Sequence, residues 1–187
     1  MKLPLINSDN LLPEDYVPCL EQVQDGYEME CRAARCMRKM ICAALQNGIR
    51  LRVYSAYRSI DYQKGLFLQD IQKYISQGMS PDEAFELTSR YIALPGASEH
   101  NAGLAADITS PEWEGELSEE FENTPQFKWL SNNAHRFGFI LRYPRDKENI
   151  TGIGYEPWHY RFVTCSHAGH IEKLGITLEE YLALHNC

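Results

Sequence analysis

Two short stretches carry side chains whose types and spacing suit metal-assisted hydrolysis. His100 and Asp107 lie in SEHNAGLAAD, positions 98–107, and Glu156 and His159 lie in YEPWHYRF, positions 155–162. Imidazole is the commonest metal ligand and a proton shuttle. Two neutral imidazoles and one carboxylate, from His100, His159 and Asp107, would leave a zinc ion one residual positive charge. A fourth position would stay open to water, which is the composition of a catalytic rather than a structural zinc site. Gly103, Ala105 and Ala106 would let the backbone turn closely and keep bulk away from the ion. Glu156 would then take a proton from the attacking water and return it to the leaving amine. On a regular strand Glu156 and His159 would face opposite ways, so a bulge or turn at Pro157 is required. Asp107 and Glu156 could exchange roles. Asp107 is favoured as the ligand because it shares a strand-like segment with His100.

Arg58 closes LRVYSAYR just before a helical pattern begins. A guanidinium fork matches a carboxylate, so Arg58 is either an anchor for an anionic substrate or one half of an internal salt bridge. Tyr57, Tyr143, Tyr155 and Trp158 could line a pocket or pack in the core. The other histidines offer less. His135 falls within a helical pattern. His167 and His170 lie three apart near a helix start, with only Glu172 close by. His185, near the end of the chain, is expected to be solvated.

The elements that must position these residues read as an alternation of helices and strands. Helices are predicted over 26–47, 59–77, 80–93 and 124–138, with a last one capped by Thr177 and Glu180. Strands are predicted over 51–55, 104–109, 139–143 and 158–163. Pro111 to Asn123 reads as an acidic surface loop. Repeats and linker-like stretches are absent, and βαβ alternation is irregular. The expected fold class is therefore α+β, a small, mainly antiparallel sheet with helices around it, in a single domain over 1–187.

The chain has 187 residues and a net charge of −8, with scattered Lys and Arg. That balance argues against a nucleic-acid partner. Apolar runs fall far short of the ~20 residues of a transmembrane segment. The six cysteines, Cys19, Cys31, Cys36, Cys42, Cys165 and Cys187, contain no CxxC pair. Cys31, Cys36 and Cys42 fall inside one helical pattern, so all six are expected to be reduced and structural. Met1 to Asn10 has neither an apolar h-region nor a small-residue cleavage site. Taken as the natural start, it implies a cytoplasmic enzyme; a trimmed chain would instead be extracellular or membrane-anchored.

SEHNAGLAAD fits SxHxxGxAxD and YEPWHY contains ExxH, the motifs of zinc D-Ala-D-Ala metallopeptidases. The chain resembles the VanY-type D,D-carboxypeptidases and bifunctional VanXY-type enzymes of glycopeptide antibiotic resistance. LINSDNLLPEDY, SAYRS, ALPGASEH, FGFILRYP and ITGIGYEPWHYRF extend that likeness over nearly the whole chain. The resemblance implies a hedgehog/D,D-peptidase-like fold and one Zn2+ per chain on His100, Asp107 and His159. It implies Glu156 as general base, and Arg58 as the residue that polarises the scissile carbonyl or holds the substrate carboxylate. It also implies Ser98 on the terminal D-alanine, Gln63 near the substrate, and Tyr143 and Trp158 flanking the pocket. Asn101 stands where relatives often have Gln. The expected activity is removal of the C-terminal D-Ala from peptidoglycan precursor peptides. The alternatives are cleavage of the free dipeptide D-Ala-D-Ala, alone or in addition, and a non-catalytic zinc-containing binding module. An L,D-endopeptidase shares the metal motif but fits SAYRS and FGFILRYP less well.

Overall fold

A computed structural model describes residues 3–89 and 91–185. Its architecture is α+β, built on a four-stranded antiparallel sheet of order β3-β4-β6-β5. These strands are β3 (Arg52–Ser55), β4 (Ala105–Thr109), β5 (Phe139–Leu141) and β6 (His159–Phe162). The central pair, AADIT and HYRF, is buried at every position. Small residues on β4 let neighbouring elements pack closely on both of its faces, and the more polar RVYS lies at an edge.

A second sheet pairs β1 (Leu20–Gln24) with β2 (Tyr27–Glu30). This hairpin overturns the expected helix start at Gly26. Asp25 and Gly26 take φ of 47° and 87°, the conformation of an Asp-Gly hairpin turn. The helix α1 (Cys31–Gln46) begins only where the Glu30 carboxylate accepts from the amides of Arg32 and Ala33. Its buried stripe is Ala33, Ala34, Met37, Met40 and Ala44.

The hairpin also overturns the expectation of reduced cysteines for one pair. Leu20 stands opposite Glu30, so continuing the register brings Cys19 to Cys31, and the two form a disulfide with Cα atoms 5.8 Å apart. Cys31 is indeed helical, as the first residue of α1; what periodicity could not show is that the hairpin returns Cys19 to the start of that helix. Cys36, Cys42 and Cys165 are free, and Cys187 lies outside the described residues.

Helix α2 (Ile60–Ser76) starts at Ser59, whose side chain accepts from the Tyr62 amide. Helix α3 (Pro81–Ser89) opens on a reciprocal Ser80–Glu83 capping box and stops short of the predicted Ala93. There the Ala93 carbonyl accepts from the Gln63 amide nitrogen at 2.8 Å. Helix α4 (Pro125–Asn133) is capped by Thr124 and passes into a 3-10 turn over Ala134–Phe137, which contains His135. The acidic 111–123 loop contains another 3-10 turn, Glu119–Asn123. Beyond β5 come α5 (Glu148–Thr151), which the sequence pattern did not announce, then α6 (Cys165–Leu174) and α7 (Leu178–His185). The main core lies between α1 and the sheet. A smaller cluster joins Ile140 and Val163 to α6 and α7 through Ala168, Ile171, Leu178 and Tyr181.

Candidate metal centre

His100 stands in a one-turn 3-10 helix, Glu99–Ala102, whose N-terminus is capped by the Ser98 hydroxyl accepting from the His100 amide. Gly103 ends that turn at φ 66°, a left-handed conformation costly for any residue with a Cβ. A Cβ there would also stand 2.7 Å from the Glu30 nitrogen, and the Glu30 amide donates to the Gly103 carbonyl at 2.8 Å. The hairpin and the His100 turn are thus held together at a point only glycine can occupy.

Asp107 and His159 are directly opposite each other in the β4–β6 ladder. That register brings together residues far apart along the chain. The Asp107 Oδ1 lies 3.4 Å from His100 Nε2 and 3.2 Å from His159 Nδ1. A tetrahedral ion with bonds of ~2.0–2.1 Å separates its ligands by ~3.3 Å. The two imidazoles meet edge to face, with ring centroids 4.9 Å apart. All three residues are buried, and one ligand atom of each lies within 4.8 Å of the others. His100 Nε2 and Asp107 Oδ1 have no hydrogen-bond partner among the described residues. Orphaned buried polar atoms converging on one point are what a cation site leaves, so the donor set fits a divalent ion.

The electrostatics agree. Burial, with help from the Arg58 cation, lowers the His100 pKa to about 4, keeping that ligand neutral at pH 7. Burial would raise the Asp107 pKa, but the facing His100 and His159 prevail and hold it well below the carboxylate range. Burial would lower the His159 pKa; contacts with the Asp107 and Glu99 carboxylates instead raise it to about 9.

The required turn occurs at Pro157–Trp158. The His159 amide donates to the Glu156 carbonyl at 3.1 Å, and the Glu156 amide to the Tyr143 carbonyl at 3.1 Å. The Glu156 carboxylate comes to lie 3.4 Å from His159 Nδ1. Burial, and the neighbouring Asp107 and Glu99 charges, raise its pKa to about 7, where a general base works best.

The triad opens on a cleft of about 710 Å3 that Arg58, Glu156, Trp158 and Tyr91 also line. A side recess of about 100 Å3 is lined by Arg58, Gln63, Ser98 and Tyr143 together with His100 and His159. The structure therefore brings His100, Asp107, His159, Glu156, Arg58, Gln63, Ser98, Tyr143 and Trp158 to one of two adjoining cavities; Tyr155 also lines the larger, whereas Tyr57 lines neither. Arg58 Nε and Gln63 Oε1 are buried without a hydrogen-bond partner among the described residues, which sets aside the internal salt bridge weighed for Arg58.

Two contributions escaped the sequence reading, which noted Asn101 only as a departure from relatives and gave Glu99 no role. Asn101 donates to the Arg58 carbonyl at 2.8 Å and accepts from the Gly96 amide at 3.1 Å, which pins the backbone that presents the guanidinium. Glu99 carries a buried ion-pair network. No local pattern marks either residue, since both act on segments distant in sequence. Of the remaining histidines, His167 is engaged by the Tyr181 hydroxyl at 2.9 Å and His185 by the Tyr181 carbonyl at 2.8 Å.

Comparison with known proteins agrees with this geometry. The chain is 36% identical over 180 residues to a D-alanyl-D-alanine carboxypeptidase of Enterococcus faecalis, covering 96% of this chain and 65% of that protein. It therefore spans just under two thirds of that relative's length. A variant of the vancomycin-resistance D,D-pentapeptidase VanY from a VanB-type cassette, solved in complex with Zn(II), superposes with a TM-score of 0.83 at 36% identity. The match covers 96% of this chain and 97% of that one. The LdcB LD-carboxypeptidase superposes with a TM-score of 0.85 at 35% identity, over 96% of this chain and 84% of that one. The VanY family, described as D-alanyl-D-alanine carboxypeptidase, matches residues 26–165, and the chain belongs to it.

Proposed function

We propose that this chain is a zinc metallopeptidase that removes the C-terminal D-Ala from peptidoglycan precursor peptides ending in D-Ala-D-Ala. The observation that carries the reading is the convergence of His100, Asp107 and His159 beside Glu156 and Arg58 at the floor of one open cleft. A non-catalytic module would have no use for a water-activating carboxylate there.

His100 Nε2, Asp107 Oδ1 and His159 Nδ1 would hold the zinc. Bound zinc supplies Lewis-acid activation of water and of the scissile carbonyl. Arg58 lines both cavities, so one fixed cation stands between the place of the terminal carboxylate and that of the scissile oxygen. It stabilises the negative charge that gathers on that oxygen. Ser98 and Gln63, in a recess small enough for one small residue, hold the terminal D-Ala. Tyr143 and Trp158 wall the two cavities. Glu156, with its raised pKa, takes the proton of the attacking water and delivers it to the departing amine. The cleft is far larger than a free dipeptide needs, which favours a longer peptide over D-Ala-D-Ala itself.

The likeness to LdcB supports a second reading, cleavage of an L,D rather than a D,D bond. One assay separates them: D-alanine release from a pentapeptide ending in D-Ala-D-Ala, from a tetrapeptide with an L,D terminal bond, and from the free dipeptide, each with and without a chelator. The pentapeptide should be cleaved fastest and the chelator should abolish release. Faster cleavage of the tetrapeptide or the dipeptide would transfer the assignment to that substrate, and chelator-resistant release would remove zinc from the mechanism. Glu156→Ala should retain zinc and lose at least ~100-fold in rate, the lower end of what general acid–base catalysis contributes. Near-normal release by that variant would refute the role.

A further inference from the structure

Glu99 directly precedes His100, yet its side chain turns away from the cleft and is 1% exposed. One oxygen, Oε1, accepts from Arg142 Nε and from Arg161 Nη1, each at 2.7 Å. Those guanidiniums are themselves anchored. Arg142 reaches Glu179 on α7 at 3.0 Å, and Arg161 donates to the carbonyls of Pro4 and Phe162 at 2.8 and 3.0 Å. A carboxylate serving only to neutralise two arginines would offer them both oxygens. Here the second, Oε2, is withheld and faces His159 Nε2 at 3.5 Å. Neither of those atoms has a hydrogen-bond partner among the described residues. His100 shows the same arrangement in completed form, its far nitrogen Nδ1 lying 2.7 Å from the Ala56 carbonyl.

We propose that Glu99 is a positioning residue of the metal centre: its Oε2 accepts the Nε2 proton of His159 and so aims the Nδ1 lone pair at the ion. The inference rests on the zinc reading of His100, Asp107 and His159. Its chemistry is specific to a carboxylate. Glutamine has one acceptor oxygen, which the two guanidiniums would claim, leaving its NH2 facing His159. A donor there favours the imidazole tautomer that carries its proton on Nδ1, the nitrogen the metal needs.

Two measurements test this. Chelator competition compares zinc affinity in the wild type and in Glu99→Gln, with circular dichroism of both metal-free proteins. The variant should keep its fold and bind zinc ~10–100-fold more weakly, the usual effect of losing an outer hydrogen bond to a ligating histidine. Independently, 15N imidazole spectra of the zinc-loaded wild type should place the His159 proton on Nε2 and show it exchanging slowly with solvent. Equal zinc affinity in a folded variant would overturn the proposal. So would zinc on Nε2 of His159, or an Nε2 proton exchanging as fast as that of free imidazole. Should Glu99→Gln not fold, the wild-type spectra decide alone. A wild type that binds no zinc would instead bring down the metal reading, and this inference with it.

Discussion

Each titratable side chain at the centre is held in a protonation state its neighbours dictate. In the metal-free protein His159 has a pKa raised to about 9 by the Asp107 and Glu99 carboxylates, against the cost of burial. Its Nδ1 therefore carries a proton at neutral pH, and a ligand must give up that proton before it can bind. Zinc uptake should accordingly release a proton below pH ~9, and apparent affinity should rise with pH up to that point. Calorimetry in buffers of different ionisation enthalpy checks this; buffer-independent heats at pH 7 would contradict it. Glu156, raised to about 7 by burial and by Asp107 and Glu99, belongs to the same logic: in the proposed roles, one cluster of buried carboxylates supplies a base, a metal ligand and a positioning residue.

At the scale of elements, the centre depends on how the β1–β2 hairpin meets the His100 turn. Gly103→Ala puts a Cβ into a left-handed residue and 2.7 Å from the Glu30 nitrogen. The left-handed conformation costs ~1–2 kcal/mol and overpacking another ~1–3 kcal/mol, so the loss should be about 2–5 kcal/mol, with zinc affinity falling too. Gly26→Ala is the control, because its φ is also positive but its surroundings are open. It should lose only the backbone part. Urea unfolding of both variants would settle the comparison, and equal losses would remove the clash from the account. The Cys19–Cys31 bridge closes a loop with a sequence separation of 12. Chain entropy predicts that Cys19→Ser with Cys31→Ser costs ~3 kcal/mol. An unchanged urea midpoint would mean that the loop is ordered without the bond.

Over the whole molecule, charge is deployed so that acid works against the fold. Burial would raise the Glu99 pKa, but the Arg142 and Arg161 cations outweigh it and hold it far below the usual range. Glu21 is lowered to about 2 by hydrogen bonds from Arg35 and Arg38. Depressed carboxylates stabilise the protein above their unfolded pKa and lose that contribution as pH falls through the folded one. His100, lowered to about 4, acts in the same direction, its contribution present above pH ~6.5. Glu156 opposes them between its ordinary value of 4.5 and its folded pKa of about 7, and His159, raised to about 9, does so between its ordinary value of 6.5 and that point. The metal-free protein should therefore lose stability steadily from pH 4.5 toward 2. Urea midpoints that stay level or rise over that interval would refute the assignment. Among the described residues no helix is long and apolar enough to cross a membrane.

The candidate residues of the centre were legible in sequence from type and local spacing: a loop histidine with a following strand aspartate, and a glutamate placed by a proline turn beside a histidine. Spacing alone left Asp107 and Glu156 interchangeable, and the family resemblance supplied their roles. Most helix starts were legible for the same reason, since Ser59, Ser80, Thr124 and Thr177 cap within a few residues of themselves. What local spacing cannot carry is the meeting of distant segments. The Asp107–His159 register, the Cys19–Cys31 bridge, the grip of Asn101 on Arg58 and the burial of Glu99 among arginines from other elements arise only when strands pair and the core closes. Hydrophobic periodicity says which face of an element is buried but not what it will be buried against. The composition of the centre was thus written in the chain, and its geometry was decided by tertiary packing.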